Sequence, residues 1–119
     1  VIDKETKTIR INDLKKTSKT VSSFSDTIEY FNYWAQAALY TVLVEDAFLS
    51  LPAYDGWTTE FRFIVVDSQM QIAPIKVSHE TMRQWKEKLT DALLEASYHF
   101  EKRNFELPYK FLTDKELVI

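Results

Sequence analysis

An acid and a lysine alternate at the end of a β-branched run near the start of the chain. The stretch IRINDLKKT holds Asp13 and Lys15, with Leu14 between them. Side chains two positions apart on a strand share a face, so we expect the carboxylate and the ammonium to project together while Leu14 enters the core. Such a pair suits metal-assisted phosphodiester hydrolysis, since a carboxylate can hold a divalent cation and an ammonium can stabilise charge on the phosphate. Alone the pattern is weak, because strand ends often carry exposed ion pairs.

A second polar pair follows in QAALY. Gln36 and Tyr40 are one helical turn apart and would share a face of an aromatic-rich helix, YFNYWAQAALY. Alternatively, the glutamine is half-buried by chance and the tyrosine ring packs in the core. Five other aromatic residues could either stack on unpaired bases or fill a core or a lid. They are Tyr30, Tyr33, Trp34, Trp57 and Trp85.

Composition restricts the chemistry available to the chain. Its 119 residues, 45% hydrophobic, suffice for one domain over 1–119. There is no cysteine, and His79 and His99 are far from the motifs. Any metal would therefore have oxygen ligands, which favours Mg²⁺ or Mn²⁺. Serines without a matching His and Asp arrangement do not support a nucleophilic triad.

Charge and hydropathy limit the ligands and the cell compartment that we expect for the protein. The net charge of −3 and the pI of about 5.4 argue against a surface that is entirely a nucleic-acid footprint. Residues 4–19 are nevertheless locally basic, which fits either a nucleic-acid contact or a solvated hairpin. No apolar run is long enough for a membrane span and no secretory leader is visible, so we expect a cytoplasmic protein.

The pattern of elements predicts an α/β or α+β layered domain. Residues 1–15 read as a strand end, the turn DKET and a second strand. A polar loop then leads into a helix from Ser25 or Asp26 to about Ser50, with an apolar stripe at Ile28, Phe31, Ala35, Ala38, Leu39, Val42 and Leu43. FRFIVVD and IAPIKVS predict an antiparallel strand pair, with Pro74 restricting the second to an edge or a bulge.

The last predicted elements are a long helix and a tail. Ser78 would cap the helix, which runs to about Asn104. Its apolar positions have helical spacing: Met82, Trp85, Leu89, Ala92, Leu93, Ala96 and Phe100. The tail FELPYKFLTDKELVI is expected to be extended, with a possible final strand.

Taken in order, these features resemble the C-terminal portion of the PD-(D/E)XK nuclease superfamily, in the branch of RecB-type nuclease domains and RecE-like phage DNA exonucleases. INDLKKTSKT resembles the acid-x-Lys motif, and QAALY matches the Q-x-x-x-Y motif. The later FRFIVVDSQMQIAPIKVSHETM is similar to the end of RecE-like domains. The likeness covers nearly the whole chain, and its specific motifs lie in the first 40 residues.

The resemblance implies a restriction-endonuclease-like core, a mixed sheet flanked by helices, without its N-terminal part. Asp13 would be a metal ligand, the Leu14 carbonyl would bind the same Mg²⁺ or Mn²⁺, and Lys15 would be catalytic. Gln36 would position the site, and Tyr40 would support it at the DNA backbone. The family also has an acid on the preceding strand. Asp3 reads as a turn residue, so we expect that acid upstream of Val1, and a chain without it would be inactive.

The expected function is a metal-dependent DNA exonuclease in phage or prophage recombination or repair. Its partners would be DNA and a single-strand annealing protein, and a homo-oligomer is possible because relatives form rings. The alternative is a non-catalytic domain of the same fold that binds protein or nucleic acid. Convergence of an acid, a lysine and a glutamine in one pocket would favour the enzyme.

Overall fold

The computed structural model describes residues 1–102, with Glu29 and Tyr30 described in backbone only. The chain divides into two compact units, Val1–Leu89 and Thr90–Ile119. The described part of the second unit is helical. The predicted final strand lies outside the described residues, and one domain over 1–119 stays a prediction.

The first unit is an α+β fold built on a mixed four-stranded sheet. The strands are β1 (Ile2–Asp3), β2 (Thr8–Lys16), β3 (Thr58–Val66) and β4 (Ile72–Val77). The helices are α1 (Phe24–Tyr30), α2 (Tyr33–Val44) and α3 (His79–Lys102), the last continuing into the second unit. The sheet order is β1-β2-β3-β4; β2 and β3 are parallel, and the outer pairs are antiparallel. The predicted order of strands and helices is therefore confirmed.

Asp3 closes the turn between β1 and β2. Its Oδ1 accepts the backbone N–H groups of Glu5 and Thr6, and its Oδ2 accepts a 2.9 Å hydrogen bond from Arg10. An aspartate side chain that accepts a hydrogen bond from the backbone N–H two residues later stabilises a turn whose backbone has no strand-to-strand hydrogen bonds of its own. Asp3 was predicted to be a turn residue; its backbone is instead the end of β1, paired with Thr8, while its side chain binds the turn.

One face of the sheet supports the core, and it is the face that carries Asp13 and Lys15. Phe61, Phe63 and Val65 of β3 are at most 2% exposed and pack with residues of α1, α2 and α3. Leu14 points to the opposite face and is 70% exposed. The expectation that Leu14 enters the core was therefore wrong. Alternation correctly separated the two faces, but apolar residues occur on both, so the sequence did not identify the buried one.

The predicted helix from 26 to 50 is broken near its middle. Asn32 adopts φ 55° and ψ 33°, a left-handed conformation that interrupts the helix between α1 and α2. Further irregular turns flank these helices, a 3₁₀ turn at Val21–Ser23 and a π-helical turn at Glu45–Leu49. The predicted stripe was partly wrong, since Phe31, Leu39, Val42 and Leu43 are exposed. Apolar side chains surround α2, so periodicity alone could not select its buried face.

The C-terminal elements follow the prediction closely. Asp67 Oδ1 accepts the N–H groups of Gln69 and Gln71 and so closes the turn between β3 and β4. Pro74 lies on β4, at the edge of the sheet, as predicted. Ser78 Oγ accepts the N–H of Thr81 at 3.1 Å, which confirms the helix cap.

Helix α3 confirms the first part of its predicted apolar stripe. Met82 is buried, and Trp85 and Leu89 pack partly buried against the core. In the second unit Ala92, Leu93 and Ala96 are exposed, and so is Phe100. None of the helices in residues 1–102 has the length and apolar character needed to cross a membrane.

Candidate functional site

The ammonium of Lys15 is the centre of a small polar cluster on the helix-covered face of the sheet. Its Nζ lies 3.1 Å from Asp13 Oδ2 and donates a 2.7 Å hydrogen bond to Gln36 Oε1. It also lies 4.3 Å from the centroid of the Tyr33 ring. The structure thus brings together three of the residues selected from the sequence, Asp13, Lys15 and Gln36.

Strand pairing and close helix packing create this arrangement. Asp13 is in register with Phe63 and Lys15 with Val65, so β3 holds both backbone positions. Ala37 and Ala38 are fully buried, and their small side chains let α2 approach the sheet closely. Gln36 precedes them on α2 and can therefore reach the strand. The side chains of Asp13 and Lys15 are only 17% and 16% exposed, which strengthens their mutual attraction relative to a solvated pair.

Tyr33 is a member of the cluster that the sequence did not assign to it. Its ring stacks on the rings of Phe24 and Phe31, with centroid distances of 6.0 and 5.5 Å. A cation above a ring fixed in this way gains an electrostatic attraction to the ring face. Tyr33 precedes Gln36 by three residues, so the helical spacing could have placed both near Lys15.

Tyr40 is not brought into the Lys15 cluster. It lies one turn beyond Gln36 on α2, is 40% exposed, and makes no hydrogen bond or ring contact to a described residue. Its hydroxyl therefore has no visible role in holding Lys15. A role for Tyr40 at a DNA backbone stays a prediction.

Asp13 and Leu14 offer two oxygen donors suited to a hard cation. Asp13 Oδ2 is buried and receives no hydrogen bond, although the ammonium is close enough for an ion pair. The backbone of Arg10 exchanges hydrogen bonds with Val1, on the side of β2 that faces away from β3. Backbone directions alternate along a strand, so the Leu14 carbonyl, four residues later, points to the same side. Strand β1 pairs with Thr8 and Ile9 and does not extend to Leu14. These donors match the preference of Mg²⁺ for oxygen.

The donor set is nevertheless incomplete. Among the described residues, no group of three or more His, Cys, Asp or Glu side chains could hold a metal ion. Asp67 Oδ1 is used in the turn after β3, while its buried Oδ2 receives no hydrogen bond. Glu60 pairs in register with Arg10 and lies on the open face of the sheet. The residues present therefore fit part of a Mg²⁺ coordination shell, and a second carboxylate is needed to complete it.

Glu60 forms a separate charged cluster on the open face of the sheet. Its carboxylate lies 2.7 Å from Arg62, 3.6 Å from Lys76 and 3.8 Å from Arg10. With 13% of its side chain exposed, Glu60 is largely shielded from solvent. Burial alone would raise the pKa of Glu60, but the hydrogen bond from Arg62 and the three positive charges outweigh burial and lower the pKa.

Comparison with known proteins identifies no relative. No family model matches the chain, and no curated protein or solved structure matches it. Evidence about function therefore comes from the geometry of the Lys15 cluster and its surroundings.

Proposed function

We propose that the chain is part of a metal-dependent DNA exonuclease of the PD-(D/E)XK superfamily, of the RecB-like or RecE-like kind, and that its mixed sheet is a restriction-endonuclease-like core. The observation that carries the proposal is the position of the Lys15 ammonium between Asp13 Oδ2 and Gln36 Oε1. Sequence pattern chose these residues from a strand and a helix that are separate in the chain. Their meeting at one point is what a shared active site requires.

In this proposal each residue of the cluster has a distinct task. Asp13 and the Leu14 carbonyl would hold Mg²⁺ or Mn²⁺, which would supply an activated water and charge neutralisation at the phosphate. Lys15 stabilises the negative charge that develops on the phosphate oxygens. Gln36 and the Tyr33 ring fix the ammonium so that little reorganisation accompanies the reaction. Tyr40 would act further along α2, at the DNA backbone.

The biological setting belongs to the same proposal. Phage or prophage recombination or repair, a single-strand annealing protein as partner and a homo-oligomer all follow from the resemblance to RecE-like exonucleases. Each of these would fail together with the nuclease assignment, whereas the proposed cytoplasmic location rests on the hydropathy of the sequence.

The direct test is Lys15→Ala in the full-length protein, measured by Mg²⁺-dependent degradation of linear duplex DNA. Loss of the charge that stabilises the phosphate should lower the rate by about 10²–10³-fold. Lys4→Ala is the matched control, because Lys4 is an exposed lysine in the turn before β2. The control should degrade DNA at the wild-type rate, and both variants should keep the wild-type circular dichroism spectrum. Degradation by Lys15→Ala at the wild-type rate would rule out the assignment.

A second candidate is a non-catalytic domain of the same fold that binds nucleic acid or protein. The incomplete donor set of the described residues favours it. Paramagnetic broadening by Mn²⁺ separates the two candidates: in the enzyme, broadening centres on Asp13 and Leu14 and is lost in Asp13→Asn. A non-catalytic domain would show no Mn²⁺ effect at these residues.

A further inference from the structure

A cavity of about 510 Å³ adjoins the Lys15 cluster. Its walls are the segment 16–19, which follows β2, together with Thr27, Phe31 and Tyr33. Tyr33 belongs to both places, because the Lys15 ammonium sits over the same ring that lines the cavity. A ligand in this cavity would therefore contact the ring over which the proposed catalytic lysine lies.

The polar wall of the cavity suits a phosphate. Lys19 contributes a positive charge, Ser18 adds a hydroxyl, and none of the described lining residues is acidic. The segment is anchored: Thr17 donates its N–H to Val66 at 2.9 Å, and its Oγ1 accepts the N–H of Lys19 at 3.1 Å. A lysine on a fixed backbone can hold a phosphate at a defined position.

The aromatic wall suits a base. Phe31 is 57% exposed although it stacks on Tyr33 at 5.5 Å, with 22° between the ring planes. Phe24 also stacks on Tyr33, at 6.0 Å, so two neighbouring rings hold Tyr33 in place. Bases stack on such rings with little sequence preference, and each stacked base strengthens binding. A base inside a duplex cannot reach a ring in a protein cavity, so the strand must be unpaired.

We propose that this cavity binds a nucleotide of an unpaired DNA strand, with the base against the Phe31–Tyr33 stack and the phosphate at Lys19. The inference rests on the proposed function, since it supplies the strand on which Lys15 acts. The cavity size is that of a small-molecule site, which suits one nucleotide better than a double helix.

The test is fluorescence anisotropy of a labelled oligothymidylate with the full-length protein in EDTA, so that binding is measured without cleavage. Phe31→Leu keeps an apolar side chain but removes the ring, and should weaken binding by about tenfold. Phe31→Trp should bind as well as wild type. Lys19→Ala should weaken binding and reduce the slope of log affinity against log salt by about 0.7, the value for one phosphate contact on a single strand.

Two control variants match these changes outside the cavity. Lys4→Ala removes an exposed lysine, and Phe100→Leu removes the ring of a phenylalanine that is 74% exposed on α3. Both should bind the oligothymidylate as wild type does. Thermal unfolding of every variant, followed by circular dichroism, checks that a loss of affinity is not a loss of fold.

The outcomes separate this inference from the nuclease proposal. Wild-type affinity in both Phe31→Leu and Lys19→Ala, or no binding by the wild type, overturns the cavity assignment even if duplex DNA is degraded. Tighter binding of oligouridylate than of oligothymidylate overturns the choice of DNA. If both cavity variants lose affinity while Lys15→Ala still degrades DNA, the cavity assignment stands and the nuclease assignment fails.

Discussion

Two partly buried carboxylates show how similar charges acquire different roles. Glu60 is surrounded by Arg10, Arg62 and Lys76, so its oxygens are satisfied by the protein. Asp13 has Lys15 as its close cation, and its buried Oδ2 receives no hydrogen bond. Because a buried charge is costly unless it is compensated, Glu60 has a structural role and Asp13 retains capacity for a ligand.

The role of Glu60 can be tested by the pH dependence of stability. Its folded-state pKa is lowered, so it contributes stability above its ordinary value of 4.5 and loses that contribution as pH falls through the folded value. Glu60→Gln should therefore lower the free energy of unfolding by ~1 kcal/mol near neutral pH. The difference between variant and wild type should shrink in acid. Urea unfolding over a pH series measures it.

The matched control is Glu80→Gln on α3. Glu80 also pairs with arginine, Arg83, but its side chain is 64% exposed. Solvent screening should make its effect on unfolding smaller than that of Glu60→Gln at neutral pH. Equal effects of the two variants, or an effect of Glu60→Gln that persists unchanged in acid, would contradict a structural role for the Glu60 cluster.

At the scale of elements, the strongest deviation from the sequence pattern is the break at Asn32. Asparagine tolerates the left-handed region better than other residues with a side chain, and here its Oδ1 also accepts the Trp34 indole N–H at 3.3 Å. The break lets α1 and α2 follow different directions over the sheet. It thereby lets Tyr33, the first residue of α2, lie beneath Lys15.

Substitution of Asn32 should reveal the strain directly. Asn32→Val forces a β-branched residue to φ 55° and should destabilise the fold by roughly 1–2 kcal/mol. Asn32→Gly should be much milder, because glycine accepts this conformation. Asn12→Val is the matched control, since Asn12 is exposed on extended β2, where valine is favoured. Thermal unfolding compares the three, and equal losses from both valine substitutions would argue against strain at Asn32.

The sequence pattern predicted the strands and helices better than it predicted which of them contact one another. The period of two identified β2, and the cap at Ser78 identified α3, because these signals are local. The parallel pairing of β2 with β3 depends on residues far apart in the chain and was not predicted. For the candidate site, alternation paired Asp13 with Lys15, but the contact to Gln36 came from family resemblance and Tyr33 was not assigned to it. Helix α2 is apolar on all sides, so no local pattern in its sequence indicates which side packs on the sheet.

At the scale of the folded unit Val1–Leu89, one sheet face is packed and the other is open. The open face carries cross-strand rows in which Leu14 neighbours Ile64 and Pro74, and Lys16 neighbours Val66 and Ile72. Leu14 and Ile72 are 70% and 67% exposed. Apolar residues on this face contribute far less to stability than those on the packed face.

A pair of truncations measures this asymmetry. Phe63→Ala removes a fully buried ring and should lower the free energy of unfolding by about 3–5 kcal/mol. Leu14 lies on β2 next to Asp13, the register partner of Phe63. Leu14→Ala should change the free energy of unfolding by less than about 0.5 kcal/mol. Urea unfolding provides both values. A large loss from Leu14→Ala would mean that this face is covered in solution.

The parallel β2–β3 pair also sets the time at which the Lys15 cluster can assemble. Asp13, Lys15, Tyr33 and Gln36 all precede the strand that aligns them, because β3 begins at Thr58. During synthesis the ribosome therefore releases every chemical group of the cluster before the scaffold that orients it. Joining strands across two intervening helices is a slow, non-local step, so the side chains of the Lys15 cluster stay unaligned in a nascent chain until the second half of the unit folds.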